Sequence, residues 1–324
     1  MKDLAVLTSG GDAPGMNACI RAVVRTAREK GIRAHGVMRG YDGLLEGDIV
    51  ELKAADVSHI MHHGGTVLKS SRSKEFLEKE GRQKAQRSLK DRGIEGLITI
   101  GGNGTFRGAK ALSEELPDLQ VVGVPGTIDN DLYGTDRTIG YDTALNTVVE
   151  AVDKIRDTAA SHDRLFFIEV MGRDAGFIAL RSGIAVGADA ILIPESRTDL
   201  KTLADKLRSK WEDHQASSII VVAEGDELGG AYQVAERVGS HFPEYDSRVS
   251  VLGHMQRGGN PSAMDRVLAS HFGNAAVEAL QSHLSDVMIG SEARDMTHIP
   301  LDKAVKHHQK IREDLIRLAE TLSI

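Results

Sequence analysis

Three times in its first half, this chain runs a short apolar stretch straight into a loop of glycines and small polar side chains. Leu4-Ala5-Val6-Leu7-Thr8 leads into Ser9-Gly10-Gly11-Asp12-Ala13-Pro14-Gly15, and Gly96-Leu97-Ile98-Thr99-Ile100 into Gly101-Gly102-Asn103-Gly104-Thr105. Val121-Val122-Gly123-Val124 leads into Pro125-Gly126-Thr127-Ile128-Asp129-Asn130-Asp131. Apolar runs this short, bounded by turn residues, read as buried strands. Helical patterns separate them, and strands alternating with helices imply an α/β fold with doubly wound, mainly parallel sheets. In such sheets ligands bind beyond the carboxyl ends of the strands, so each loop is a candidate site.

The first loop opens a helix whose apolar residues, Met16, Cys19, Ile20, Val23, Val24 and Ala27, share one face, with Arg21, Arg25 and Arg28 largely off it. Strand, glycine turn and helix start together suit an anion, because free N–H groups and the helix dipole point at the loop. The loop lacks the Lys-Ser/Thr ending of a P-loop, which leaves a phosphate cradle or a tight βα turn. The second loop carries Gly102, Gly104 and Gly108, a weak match to a dinucleotide fingerprint. No acidic residue closes the following strand near Val124 to hold a ribose, which counts against NAD. Between them, Gly64 to Arg72 forms a loop in which Lys69 and Arg72 either meet an anion or are solvated.

In the third loop two carboxylates flank Asn130, with a hydroxyl at Thr127 and a glycine at 126 where a ligand can approach closely. Asp129 can take a proton from an attacking hydroxyl, and Asp131 can hold a metal directly or through water. The same residues also make an ordinary Asx-rich turn.

Further strands are expected at Arg33–Met38, Leu165–Val170, Ala190–Ile193, Ile219–Ala223 and Val249–Leu252. An exposed charged helix is expected over 75–92, and a long one from Asp142 to Ser161 with Leu145, Val148, Val149, Val152 and Ile155 inward. Shorter helices read at 175–185, 199–212 and 229–241, with terminal helices at 262–282 and 303–322. Arg164, Arg173, Arg248 and Arg257, with His254, stand at strand ends. In a chain of net charge −7 they form either a local anion site or separate surface ion pairs.

Composition narrows the class. The 324 residues are 41% hydrophobic but only 4% aromatic, so the cores are aliphatic. Cys19 alone forms no internal disulfide and fits a reducing compartment. No apolar run reaches membrane-span length, and Lys2-Asp3 makes a poor secretory leader, so a cytoplasmic protein is expected. The acidic balance argues against a nucleic-acid partner. Thirteen histidines show no HExxH spacing, and His62-His63 and His307-His308 read as solvated or capping residues.

Four stretches together carry a specific likeness: Leu7 to Asn17, Pro125 to Asp131, Glu169-Val170-Met171-Gly172-Arg173, and Leu252-Gly253-His254-Met255-Gln256-Arg257-Gly258-Gly259. In that order they resemble the bacterial ATP-dependent 6-phosphofructokinases over nearly the whole chain. The resemblance implies two Rossmann-like domains, an ATP-binding one of residues 1–139 and 256–303 and a sugar-phosphate-binding one of 140–255 and 304–324. It implies a homotetramer that uses ATP and Mg²⁺ to phosphorylate fructose 6-phosphate. By it Asp129 is the base, Thr127 contacts the transferring phosphoryl and Arg173 stabilises its charge. Arg164, Met171, Gly172, Glu224, Arg248, His254, Met255, Gln256 and Arg257 would hold the sugar phosphate, with Arg164 and Arg248 reaching across from a neighbouring subunit. Gly11, Arg72, Ser73, Gly102, Asn103, Gly104, Thr105 and Gly108 would carry the nucleotide. Arg21, Arg25, Arg156 and Asp189 match an effector pocket for ADP or phosphoenolpyruvate.

Glycine at 104 and 126 favours ATP over pyrophosphate, since pyrophosphate-dependent relatives carry an Asp and a Lys there. The chain also departs from the family. Asn103 stands where the family has a metal-binding Asp, so metal affinity should fall, with Asp131 as the remaining carboxylate. Lys69 replaces a glycine, and Ser73 and Lys74 replace an aromatic and a proline. In the effector pocket Ala54 and His59 replace an Arg and an Asp, and Asp213 and Gln215 replace two lysines. Two other classes of function are open beside the active kinase. One is a weakly catalytic or regulatory paralogue, and the other a kinase for a different ketose phosphate. A lipid or NAD kinase is disfavoured by the sugar-phosphate residues of the second half.

Overall fold

The computed structural model describes residues 1–160, 164–212, 217–243, 246–293 and 295–323. They divide into two compact units. The first comprises Met1–Ile128, Leu132–Thr143 and Arg257–Gln309; the second comprises Asp129–Asp131, Ala144–Gln256 and Lys310–Ile324.

In the first unit the chain order is β1 (Asp3–Thr8), α1 (Met16–Glu29), β2 (Arg33–Val37), α2 (Gly40–Glu46), β3 (Ile49–Leu52), α3 (Lys79–Asp91), β4 (Gly96–Gly101), α4 (Asn103–Glu115) and β5 (Gln120–Pro125). The helix α5 (Tyr141–Ala160) follows, and its Ser161 end, expected from sequence, lies outside the described residues. The second unit holds β6 (Leu165–Val170), α6 (Phe177–Ala185), β7 (Ala190–Leu192), α7 (Leu200–Glu212), β8 (Ser218–Ala223), α8 (Ala231–His241) and β9 (Ser247–Val251). The chain then gives α9 (Ala263–Gln281), β10 (Val287–Glu292), β11 (Asp295–Pro300) and α10 (Leu301–Lys306) to the first unit, and α11 (Glu313–Leu322) to the second.

The first unit's sheet has the order β11-β10-β5-β4-β1-β2-β3. At its centre β1 pairs in parallel with both β2 and β4, and β4 in parallel with β5. Every residue of β1 and β4 is buried, with no alternation. That is the pattern of a parallel sheet covered on both faces. Because β1, β4 and β5 run the same way, the loops after them leave from one sheet edge. Phe106 of α4 is fully buried over Gly123 of β5, where an added Cβ would come within 2.8 Å of its ring. Burying that ring contributes about 1.5–3 kcal/mol. The second unit's sheet, β7-β8-β6-β9, is parallel throughout, with Phe167, Val222, Leu207, Val238 and Phe242 in its core.

The sequence reading missed both edges of the first sheet. β3 returns antiparallel to β2, and β10–β11 is an antiparallel hairpin added beside β5. β3 and β11 are largely exposed or half-buried and carry polar residues, so they lack the apolar signature of the central strands, whereas β10 buries Met288 and Ile289 within a short apolar run. The segment over 75–92 is a short turn of 3-10 helix at Glu75–Leu77 followed by α3, which buries Gly81, Ala85 and Leu89 as one stripe and so is not wholly exposed. The single helix expected over 303–322 is two, α10 and α11, separated by extended residues from His307. In α5 the buried positions include Val148 and Val152, while Leu145, Val149 and Ile155 lie at the margin.

Candidate active site

In the first unit, the loops after β1 and β4 are tied together. The Thr105 hydroxyl donates to the Ser9 carbonyl at 3.0 Å, and the buried Tyr41 hydroxyl donates to the Thr105 carbonyl at 2.6 Å. Thr105 is itself buried, so its hydroxyl is committed to this tie. The segment 63–73 is stitched onto the same edge. Asn17, buried in α1, donates to the carbonyls of His63 and Gly64 and accepts from the Val67 amide at 2.8 Å. Thr8 donates to the Lys69 carbonyl, and Ser70 donates to that of Gly10. Arg72 and Lys69 remain exposed on this fixed loop. Ser73 spends its hydroxyl accepting from the Phe76 amide, at 3.3 Å. Lys69 holds φ +57°, the left-handed region that costs an L-residue about 1–2 kcal/mol.

At the start of α4, Gly102 is an extended N-cap that makes no side-chain capping bond, and the first turn holds no acid. Its leading N–H groups have no intrahelical acceptor, which suits an anion. Gly104 is exposed there, and a Cβ added to it meets nothing within 4 Å. This open cradle fits a polyphosphate. Gly108 serves packing instead: a Cβ would come within 2.9 Å of Tyr41, which stacks on Phe76 at 4.0 Å between ring centroids. Arg257 lies against Gly11, where an added Cβ would sit 2.5 Å from its Nη1, and donates to the Asp12 carbonyl.

The loop after β5 begins with the Gly126 amide donating to the Gly101 carbonyl at 2.9 Å. Thr127 is 8% exposed and its carbonyl accepts from the Thr138 hydroxyl at 2.5 Å. Asn130 takes φ +53°, which places Asp129 and Asp131 on either side of a left-handed residue. Asn tolerates that conformation better than most side chains.

In the second unit, Asp129 is 2% exposed and its Oδ2 lies 3.4 Å from Nε of Arg173. Arg173 follows β6 with φ +54°, and its side chain is 52% exposed. A non-glycine residue held in that conformation beside a buried carboxylate marks strain that the surroundings must maintain. They do so in two ways. Glu224, at the end of β8, accepts from the amides of Gly172 and Arg173 at 3.2 and 2.8 Å. Gly225 leaves room for the Arg173 carbonyl, which would be 1.9 Å from an added Cβ. Gln256 is fully buried and accepts from the Met171 amide at 3.2 Å while donating to the Gly253 carbonyl. It therefore braces the turn beneath Met171, itself buried, whereas Met255 and His254 are exposed.

The structure corrects one grouping. Arg164 precedes β6 and Arg248 lies early in β9, beside Phe166 of β6, so both sit at the amino edge of this parallel sheet. Arg173 follows the carboxyl edge of β6, the full strand away, roughly 20 Å at the rise of a β-strand. Within one chain Arg164 and Arg248 do not share an anion site with Arg173. Arg164 instead pairs with Asp246 at 3.0 Å, and Arg248 pairs with the same carboxylate.

The phosphofructokinase family model matches residues 3–280. This chain belongs to the phosphofructokinase family. It is 54% identical over its whole length to the Thermus thermophilus "ATP-dependent 6-phosphofructokinase 1", covering all of that protein. It is 52% identical to the Bacteroides thetaiotaomicron "ATP-dependent 6-phosphofructokinase 2", covering 99% of it. Among solved structures, Saccharomyces cerevisiae phosphofructokinase superposes with TM-score 0.89 at 38% identity; the match covers 94% of this chain and 45% of the yeast chain. A pyrophosphate-dependent phosphofructokinase from Marinobacter aquaeolei shares the fold with TM-score 0.85 at 23% identity, over 99% of this chain and 91% of that one.

Within this family the two donor-related glycines differ here in their surroundings. Gly104 opens to space, but a Cβ on Gly126 would meet Ile100 at 2.8 Å, so packing alone already demands glycine at 126. Asp189 is committed to an ion pair with Lys210 and accepts from the Ile219 amide at 2.7 Å. Arg156 donates to the carbonyls of Val186 and Gly187, while Arg21 and Arg25 project from α1. Asp213 and Gln215 lie outside the described residues. Burial pushes the Cys19 thiol far up, so it offers no thiolate nucleophile. Among the described residues no three His, Cys, Asp or Glu side chains converge as a metal cage. The sequence reading gave Asn17 no role of its own and passed over Thr138, Gly225 and Asp265. Of these only Asp265 had a readable signal, as the third residue after Ser262 in a capping-box spacing.

Proposed function

We propose that this protein is an ATP-dependent 6-phosphofructokinase that converts fructose 6-phosphate to fructose 1,6-bisphosphate, a step of glycolysis. Full-length relatives named for that activity favour an active kinase over a regulatory paralogue. The observation that carries the site assignment is the buried Asp129 carboxylate beside the Arg173 guanidinium. Asp129 takes the proton of the sugar 1-hydroxyl as its oxygen attacks the γ-phosphorus, and the bond to the ADP oxygen breaks. Arg173 and Thr127 face the charge spread over the transferring phosphoryl. Such a reaction needs positioning and charge neutralisation more than covalent chemistry. Gly11, Arg72, Ser73 and residues 102–105 would border the nucleotide, with Gly104 leaving the room its phosphates need. Asp131 and the Asn103 amide would hold Mg²⁺, which neutralises phosphate charge when bound.

Met171, Gly172, Glu224, His254, Met255 and Arg257 border the sugar phosphate in this reading, with Gln256 as a brace. Arg164 and Arg248, on the far edge of their sheet, suit service to a neighbouring copy in a homotetramer. The first unit would be the nucleotide-binding one and the second the sugar-phosphate-binding one. A coupled assay of purified protein with Mg²⁺, ATP and fructose 6-phosphate tests the reading. Turnover that fails with pyrophosphate and is slower with sedoheptulose 7-phosphate is expected; no bisphosphate formed would overturn it.

Two further outcomes follow. Asn103 brings no charge to the start of α4, so Asn103→Asp should lower the Mg²⁺ concentration for half-maximal rate by about tenfold. Manganese titration of the nucleotide-bound protein, followed by electron paramagnetic resonance, should tighten in parallel. Phosphoenolpyruvate inhibition should be weak or absent, since three family cations are missing and Asp189 is already paired with Lys210. Strongly sigmoidal inhibition in an activity titration would refute this.

A further inference from the structure

We propose that Thr138 and Asp265 are positioning residues that fix the loop after β5 for phosphoryl transfer. The inference rests on the reading of Thr127 and Asp129 given above. Residues 138–143 form a strap across that loop. The Thr138 hydroxyl, 1% exposed, donates to the Thr127 carbonyl at 2.5 Å, and the Ile139 amide donates to the Pro125 carbonyl at 2.9 Å. Gly126 and Ile139 make an isolated parallel bridge. The strap therefore grips the chain at 125, 126 and 127, immediately before Asp129.

The strap is in turn held by one buried carboxylate. Asp265, 1% exposed in the first turn of α9, accepts from the Gly140 amide at 2.9 Å, from the Thr143 amide at 2.8 Å and from the Thr143 hydroxyl. Thr143 also accepts from the Ser262 amide at 2.9 Å, and Ser262 caps α9 through the Asp265 amide. The Asp265 side chain is thus spent on the strap rather than on its own helix end. The same strap touches the loop after β1. A Cβ on Gly140, at φ +96°, would come 2.7 Å from Ala13, and one on Gly15 would meet Ile139 at 2.7 Å. One carboxylate consequently sets the strap against both the loop after β1 and the loop after β5.

These bonds fix the chain from Pro125 to Thr127. Displacement of catalytic groups by about an ångström costs up to a hundredfold in rate without abolishing binding. Removing the Thr138 hydroxyl takes one hydrogen bond from the Thr127 carbonyl, and the loop should shift or loosen.

The test compares Thr138→Val, Thr138→Ser and Asp265→Asn with the parent enzyme. Thr138→Val should lose about tenfold or more in kcat while KM for fructose 6-phosphate stays within about threefold. Thr138→Ser, which keeps the hydroxyl, should recover most of the rate. Asp265→Asn places an amide donor where only acceptors fit and should behave like Thr138→Val. Hydrogen exchange across 126–131 should quicken in Thr138→Val and Asp265→Asn but not in Thr138→Ser. Parental kcat in Thr138→Val, or unchanged exchange across 126–131, would overturn the proposal. A parent silent with ATP and fructose 6-phosphate would sink the kinase reading alone, and the exchange comparison would still decide the brace.

Discussion

Asp129→Asn is expected to lower kcat by about 10²–10⁴-fold, the range for loss of a general base, with little change in thermal stability. The amide keeps the shape of the carboxylate and can still accept a hydrogen bond, but it cannot take the proton of the sugar hydroxyl. Asp129 is 2% exposed while its partner Arg173 is 52% exposed, so the guanidinium left behind is still solvated. The usual penalty for stranding a buried charge therefore does not apply, and the loss should fall on rate rather than on folding. Steady-state kinetics beside a melting curve separate the two. Full rate in Asp129→Asn would mean that another group takes the proton.

Arg173→Gly should cost on the order of 10²–10³ in kcat, the scale for removing one preorganised charge from a transition state. It should also cost stability, because the 2% exposed Asp129 carboxylate loses the guanidinium beside it, and the backbone at 173 offsets only part of that loss. Arg173 sits at φ +54°, so glycine relieves about 1–2 kcal/mol of left-handed strain. Against that gain stands about 0.5–1 kcal/mol of extra chain entropy lost on folding. The Gly172 and Arg173 amides would still be held by Glu224. Arg173→Lys should retain part of the rate, since a single ammonium restores the charge but not the fork. Parental kcat in Arg173→Gly would show that the guanidinium faces no developing charge. An unchanged melting temperature would show that the Asp129 carboxylate does not depend on this guanidinium for its burial.

Family and chemistry were legible in the residues because they are written in contiguous loops. Ser9 to Gly15, Gly101 to Thr105 and Pro125 to Asp131 each follow a strand that is mostly apolar and almost wholly buried, and a buried parallel strand leaves a near-continuous apolar run. Edge strands left no such mark. β3 and β11, at the two edges, are partly solvated and of mixed composition, and β10, just inside β11, offers an apolar run of only Val287 to Ile289. The broken terminal helix was hidden because 307–312 has no glycine or proline to announce a break.

What the linear order of residues determined is the identity of the groups: which carboxylate, which guanidinium, which glycine stands beside which strand. Tertiary structure alone decided which groups meet. It put Arg173 beside Asp129 and carried Arg164 and Arg248 to the other edge of the same sheet, although all three arginines flank or lie in its strands. It turned Gln256 and Thr105 inward, and it gave Thr138 and Asp265 their place behind the loop. The reason is physical. A strand's direction and its partners assign each end to an edge, and those pairings join residues far apart in sequence, so no local pattern of side chains encodes them.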